Sequence, residues 1–388
     1  MWGCLTLSRL WLLTSLLSIA LYAPLLFSLL AQVPPSGEWA NDFTLLWAAA
    51  KFAWQGQPAL AYDAAALTAS VPALATAPVQ PSFYPPLYLL LTAPLGALEY
   101  PVAYVVFVLP SLIALTVAAA AIFRAQAALA VVLVLCFGGF WQLLHYGQNS
   151  GWIAILYLLV YAGLRAGHSG AGIALGLIAV KPHLGLLAPL HLVSTRRWSV
   201  FVAAALTVLA LTVLSGWLFG WDVWWAYTQV AGYPVHRLLD FTMPNQDAPI
   251  SLYAGLRRWG MGATEALLCQ AALGVFAGWL WLVIGRSVSP ASSFALLPLV
   301  TLLVLPHAYA YDSVLLLLPL LAAALTPELQ LRHWSGVASW ALLYLASGWL
   351  AVFNFMTVVG VFPVLGLLFL AALAWQKHRN PVISVVNP

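Results

Sequence analysis

Residues 101–123 read "PVAYVVFVLPSLIALTVAAAAIF", a run without a single charged side chain. As a helix it is long enough to cross roughly 30 Å of hydrocarbon. Similar runs lie at about 10–31, 127–145, 150–164, 170–194, 198–220, 264–286, 290–306, 309–325, 334–354 and 358–376. The chain of 388 residues is 64% hydrophobic and 6% charged, whereas an average soluble domain is about 25% charged. No water-soluble core of this size could enclose so much apolar surface, so lipid must be the solvent for most of the chain. The expected fold class is therefore all-α, a polytopic transmembrane helical bundle with about 10–12 membrane helices. One integral membrane domain is expected over 1–388, with a first outer loop at 32–84, central helices at 85–220, a second outer segment at 221–262 and C-terminal helices at 263–388.

Local breaks refine this reading. The "KPH" at 181–183 interrupts the 170–194 run, and its proline disfavours one straight helix. The segment 85–98, "PPLYLLLTAPLGAL", is short and proline-broken, which suits an interfacial or re-entrant piece. Within 32–84 two short interfacial helices are expected, near 43–55 and 60–70. The run after Arg9 lacks a small-x-small cleavage site and reads as a retained signal anchor. Cys4, Cys136 and Cys269 are far apart, offer neither a disulfide framework nor metal spacing, and read as small packing residues.

With the N-terminus inside, nine basic residues face the cytoplasm and five remain for the far side, in agreement with the positive-inside rule. This implies a multi-pass protein of the cytoplasmic membrane whose long loops are periplasmic or extracellular. The formal charge of +4 is scattered singly or in pairs, so it reports orientation and gives no sign of a nucleic-acid partner.

Five short polar motifs stand at the ends of apolar runs, and this threading brings all five to the outer leaflet. They are "NDF" (Asn41 to Phe43), "FYPP" (Phe83 to Pro86), "HYGQNSG" (His145 to Gly151), "KPH" (Lys181 to His183) and "PHAYAYD" (Pro306 to Asp312). A charge at mid-helix in a membrane costs about 2.5–3.5 kcal/mol on insertion scales, so such residues tend to face an interior cavity and carry function. Asp42 reads as the N-cap of a helix starting near Phe43 or as a general base held at the membrane surface, and the two roles are compatible. Lys181 either snorkels to the interface or, beside a helix-breaking proline, holds a phosphate as a point charge. His145 and His307 are each more often structural than catalytic. His307 is the stronger candidate, because it precedes Tyr311 and Asp312 by four and five residues on what should be one helix face, where Asp312 would orient it or keep it charged. Gln148 and Asn149 are neutral groups of the kind that read sugar hydroxyls. Arg257 and Arg258 are either an outer anion site or headgroup contacts.

Taken in order, these stretches resemble glycosyltransferase family 87. "NDFTLLWAAAKFAWQGQPALAYD" at 41–63 is similar to that family's opening, and "FYPPLYLLLTAPLGAL", "YGQNSGW", "KPHLGLL", "SLYAGLRR" and "PHAYAYDSVLLLLPL" follow at similar spacing, so that the likeness covers most of 38–320. The family's usual Asn-Pro-Tyr-Asp appears here as "PALAYD", a departure that bears on the acceptor side. The resemblance implies a GT-C type membrane enzyme that passes one sugar, mannose first among them, from a polyprenyl-phosphate donor to a lipid or glycan acceptor, with inversion. It implies Asp42 as catalytic base, with Lys181, His307, Arg257 and Arg258 around the donor phosphate. Asn41, Tyr84, His145, Gln148, Asn149, Tyr311 and Asp312 complete the expected substrate-binding set. No cofactor is expected and no metal is required, since the donor is already activated and the chain has no tight Asp-x-Asp cluster. The rival readings are a transporter or flippase of lipid-linked sugars, which needs polar residues at mid-depth, and a polysaccharide polymerase or ligase relying on outer-loop arginines.

Overall fold

The computed structural model describes residues 9–20, 42–70, 80–232, 249–352 and 361–379. These are largely helical, and the β structure among them is an isolated antiparallel bridge between Pro249 and Tyr309. The 101–123 run becomes helix Tyr100–Ile122, with a proline in its first turn, where no intrahelical N–H is lost. Val102, Val105, Val106, Leu109, Ile113 and Val117 are exposed on it, while Ala103, Tyr104, Phe107, Val108, Leu112 and Leu115 are buried. An outward stripe as apolar as the inward one is stable only where lipid replaces water. Helix Trp198–Phe219 repeats the pattern, with Val202, Leu206, Leu209, Val213 and Trp217 exposed.

The protein is thus all-α and polytopic. Among the described residues four helices are long and apolar enough to cross a membrane: Tyr100–Ile122, Trp198–Phe219, Ala263–Gly285 and Val361–Arg379. A fifth crossing arises if Arg124–Leu135 and Gly138–Tyr146, bent by 51° where they meet, form one span. Six further apolar helices have 10–17 described residues and correspond to the shorter runs of the sequence. Proline and polar turns cut them short. The 170–194 run divides at "KPH": helix Ala171–Leu177 tightens into a 3-10 turn at Ile178–Val180, Lys181 turns out of the helix at φ −136°, and a second 3-10 turn, Pro182–Gly185, precedes helix Ala188–Ser194.

The 32–84 segment holds helix Asp42–Trp54, a 3-10 turn Pro58–Tyr62 and helix Ala64–Ala69. Asp63, the acid of "PALAYD", caps the last of these: its Oδ1 accepts from the N–H groups of Ala65 and Ala66 at 2.9 Å. The 85–98 piece forms helix Pro86–Thr92 and 3-10 turn Ala93–Ala97. That is about 18–20 Å of helix, too short to span. Of the expected signal anchor, Arg9–Ala20 is a helix and the rest lies outside the described residues, as do Asn41 and Cys4. Cys136 is buried as expected, whereas Cys269 is exposed.

One expectation is corrected. His307, Tyr311 and Asp312 do not share an α-helical face, because Pro306 and His307 form a turn, Tyr309 is extended (φ −106°, ψ 158°) and a 3-10 helix, Ala310–Leu316, follows. Pro306 removes a donor at the turn, and the pairing of Tyr309 with Pro249 draws the backbone out of any helix.

Gly147 ends helix Gly138–Tyr146 in the left-handed region at φ +62°. A Cβ there would stand 2.6 Å from Phe43 Cβ and 2.8 Å from Tyr104 Cε2, so the "GQN" turn is pressed onto the Asp42 helix. Gly147→Ala should therefore combine left-handed strain of about 1–2 kcal/mol with overpacking of about 1–3 kcal/mol. A clearly lowered unfolding midpoint in detergent is expected, and an unchanged midpoint would show that the contact is loose.

Candidate active site

Helix Asp42–Trp54 is pinned by its aromatic residues. Phe43 is fully buried among Tyr100, Tyr104 and Phe107, with ring centroids 5.3–5.5 Å away. Trp47 Nε1 donates to the Leu98 carbonyl at 3.0 Å, and the Tyr104 hydroxyl donates to the Leu144 carbonyl. These contacts fix where the helix begins, and Asp42 is its first residue.

Asp42 is half-buried, and its Oδ2 accepts from Gln148 Nε2 at 2.6 Å. The other end of that amide is also engaged, since the Tyr84 hydroxyl donates to Gln148 Oε1 at 2.9 Å. Tyr84 is steadied in turn by stacking on Tyr88 at 4.5 Å and by the Tyr62 hydroxyl, which donates to its carbonyl at 2.9 Å. Burial pushes the Asp42 carboxyl above its ordinary range. The Gln148 N–H and the Lys181 charge pull it back, and the Asp312 charge adds to the rise.

Two residues along the chain, a second polar group begins. Ser150 Oγ donates to Asp312 Oδ1 at 2.6 Å, and Lys181 Nζ donates to the same carboxylate oxygen at 2.7 Å and to Ser150 Oγ at 3.1 Å. The lysine also lies over the Tyr311 ring, 4.9 Å from its centroid. The Lys181 and Asp312 side chains are 4% and 1% exposed, a degree of burial that demands the pairing. The lysine expected to grip a phosphate is thus already half of an ion pair, and the aspartate expected to serve His307 serves Lys181. Between the two groups, Asn149 is buried beside the Tyr88 hydroxyl with neither amide atom in a well-formed hydrogen bond, and Asp312 Oδ2 likewise has no donor.

His307 faces His183, with ring centroids 4.9 Å apart. Burial lowers the His307 imidazole below its ordinary range, Asp312 raises it and Lys181 lowers it further. His145 packs edge-on against Tyr146, which meets Tyr311 at 5.4 Å. Arg257 and Arg258 end helix Leu252–Arg258, where they donate to the Met261 carbonyl at 3.1 Å and the Pro249 carbonyl at 3.0 Å. That helix is clipped to the His307 turn: Ile250 N–H donates to the Ala308 carbonyl at 2.7 Å and Ser251 Oγ to the Pro306 carbonyl at 2.5 Å. The arginines therefore flank the turn, and their described bonds are to backbone.

The described residues of all five motifs meet in space. Sequence reasoning passed over Ser150, His183, Tyr62 and Tyr146. The first, second and fourth of these stand inside the quoted motifs, and a hydroxyl or imidazole beside a named acid or base was the available signal.

The profile of glycosyltransferase family 87 matches residues 83–306. The chain belongs to this family. It is a membrane glycosyltransferase, which moves a sugar from a donor to an acceptor. The matched residues of this family 87 enzyme take in Tyr84, the 145–151 motif, Lys181, His183 and the two arginines; His307, Tyr311 and Asp312 fall just beyond their end, and Asp42 lies well before their start. No curated protein and no solved structure matches the chain.

Removing one partner of the buried ion pair leaves the other charge stranded. Lys181→Met or Asp312→Leu should each cost about 3–5 kcal/mol, and the double variant Lys181→Met/Asp312→Leu should recover much of that loss. Chemical unfolding in detergent reads the difference, and strictly additive losses would show that the two charges are not coupled.

Proposed function

We propose that this family 87 enzyme transfers one sugar, mannose, from a polyprenyl-phosphate donor to a hydroxyl of a lipid or glycan acceptor. The transfer takes place at the outer face of the cytoplasmic membrane, inverts the anomeric centre and uses Asp42 as general base. What supports this reading is the carboxylate itself, half-buried on the first outer loop, with one oxygen tied to Gln148 and a fixed ion pair close enough to act on it. A base needs that combination of fixed aim and partial access.

The acceptor oxygen gives its proton to Asp42 as it bonds to the anomeric carbon, and the bond from that carbon to the phosphate oxygen breaks on the opposite side. The electron pair leaves with the polyprenyl phosphate. His307 supplies a hydrogen-bond donor to that phosphate, Arg257 and Arg258 form a cationic rim, and Lys181 contributes its field from within the ion pair. Asn149, whose amide atoms lack well-formed hydrogen bonds, and Asp312 Oδ2 offer donors and acceptors of the sort sugar hydroxyls need, with Tyr311 and His145 as walls.

The experiment is a panel of polyprenyl-phosphate sugars given to purified enzyme, with polyprenyl phosphate release as readout. One donor should be consumed, and Asp42→Asn should lower the rate by about 100- to 10,000-fold. Undiminished turnover in that variant would remove Asp42 from this role, and movement of label across vesicles without bond cleavage would replace transfer by transport. Since burial raises the Asp42 carboxyl and the base works ionised, the rate should fall on acidification through a pKa above the ordinary value of about 3.9. A flat profile down to that value would contradict the buried base.

A further inference from the structure

Gln148 was grouped above with residues that read sugar hydroxyls, yet both ends of its amide are engaged within the protein. Nε2 donates to Asp42 Oδ2 at 2.6 Å, and Oε1 accepts from the Tyr84 hydroxyl at 2.9 Å. The amide's orientation follows from chemistry, because an ionised carboxylate only accepts hydrogen bonds, so the NH2 end must face Asp42 and the oxygen is left for a donor. The tyrosine is that donor, and it is itself held by Tyr62 and Tyr88. Gly147 at φ +62° is what brings the residue after it against the start of the Asp42 helix. Gln148 is 5% exposed, so both bonds lie in the protein interior.

We propose that Gln148, clamped by Tyr84, is a positioning residue for the base: it occupies Oδ2 of Asp42 and leaves Oδ1 as the oxygen that takes the acceptor's proton. This rests on the reading of Asp42 given above. It makes the first outer loop part of the same device, since Tyr62 of the 3-10 turn Pro58–Tyr62 reaches the base through Tyr84 and Gln148. An N–H on a carboxylate also stabilises the ionised form, so the amide sets the pH at which the base becomes available.

Gln148→Met keeps length and volume and removes both polar ends, and Tyr84→Phe removes only the clamp. For Gln148→Met, kcat should fall by about 10- to 100-fold, the loss expected for one charge-assisted hydrogen bond. KM for donor and acceptor should change by less than about threefold, as for an interaction that acts on the base and not on binding. The acidic limb of the rate profile should move to higher pH by about one unit. Tyr84→Phe should shift the limb in the same direction with a smaller fall in kcat, and it answers the question if the methionine variant does not fold. A rise in donor or acceptor KM at unchanged kcat and an unmoved limb, in either variant, would return Gln148 to sugar recognition and overturn the proposal. Asp42→Asn measured alongside separates the two ideas: if it keeps full activity, the base reading has failed, whereas if it is inactive and Gln148→Met keeps the wild-type kcat and acidic limb, the positioning role alone has failed.

Discussion

A lysine and an aspartate lie 2.7 Å apart with their side chains 4% and 1% exposed, inside a bundle whose other neighbours are mostly apolar. Either charge alone would be costly to bury, and together they tolerate burial only because Ser150 and the Tyr311 ring complete the shell. Each member comes from a place where a helix fails: Lys181 from the break before Pro182, Asp312 from the 3-10 segment after the 306–307 turn, Ser150 from the start of its helix. The pair therefore ties three interruptions of the bundle to one point. Whatever holds it apart or together decides whether the rest of the site has a shape.

Interrupted helices are tolerated in a membrane protein only where protein or an inner cavity receives the freed backbone groups. Here the interruptions gather, so their cost is met in one place and the result is a polar patch among apolar helices. Gln148, Asn149 and Ser150 run along this patch in sequence. The first reaches Asp42, the last reaches Asp312, and the middle one is left with amide atoms that lack well-formed hydrogen bonds. A family 87 enzyme must hold a sugar and a leaving group together, and a short turn that touches two carboxylates with a residue to spare can do so.

Much of this was legible in the residues. Apolar runs such as 101–123 dictate the fold class, and the proline of "KPH" dictates the break at Lys181, because both depend on local chemistry alone. The five polar motifs could be recognised as one site, since each is expensive where it stands. The partners could not be read. Nothing in the sequence says that Lys181 is answered by Asp312, 131 residues away, and not by a substrate phosphate. His307 was misplaced on a helix face because the pairing of Tyr309 with Pro249, a long-range event, pulls that stretch out of helical geometry. Hydropathy alone did not say which of the runs are full crossings, because it is blind to a short helix that stops at a turn. The sequence left Arg257 and Arg258 as either an outer anion site or headgroup contacts, and it could not show that each also bonds a backbone carbonyl close to its own helix.

An electron cryo-microscopy structure of the Asp42→Asn variant with a polyprenyl-phosphate sugar and its acceptor tests the central claim most directly. The account predicts the acceptor oxygen within about 2.6–3.2 Å of the position 42 side chain, the anomeric carbon about 3–3.5 Å beyond it, and Lys181 still seated on Asp312. A sugar bound away from position 42, or a lysine swung off its aspartate to clasp the phosphate, would contradict it.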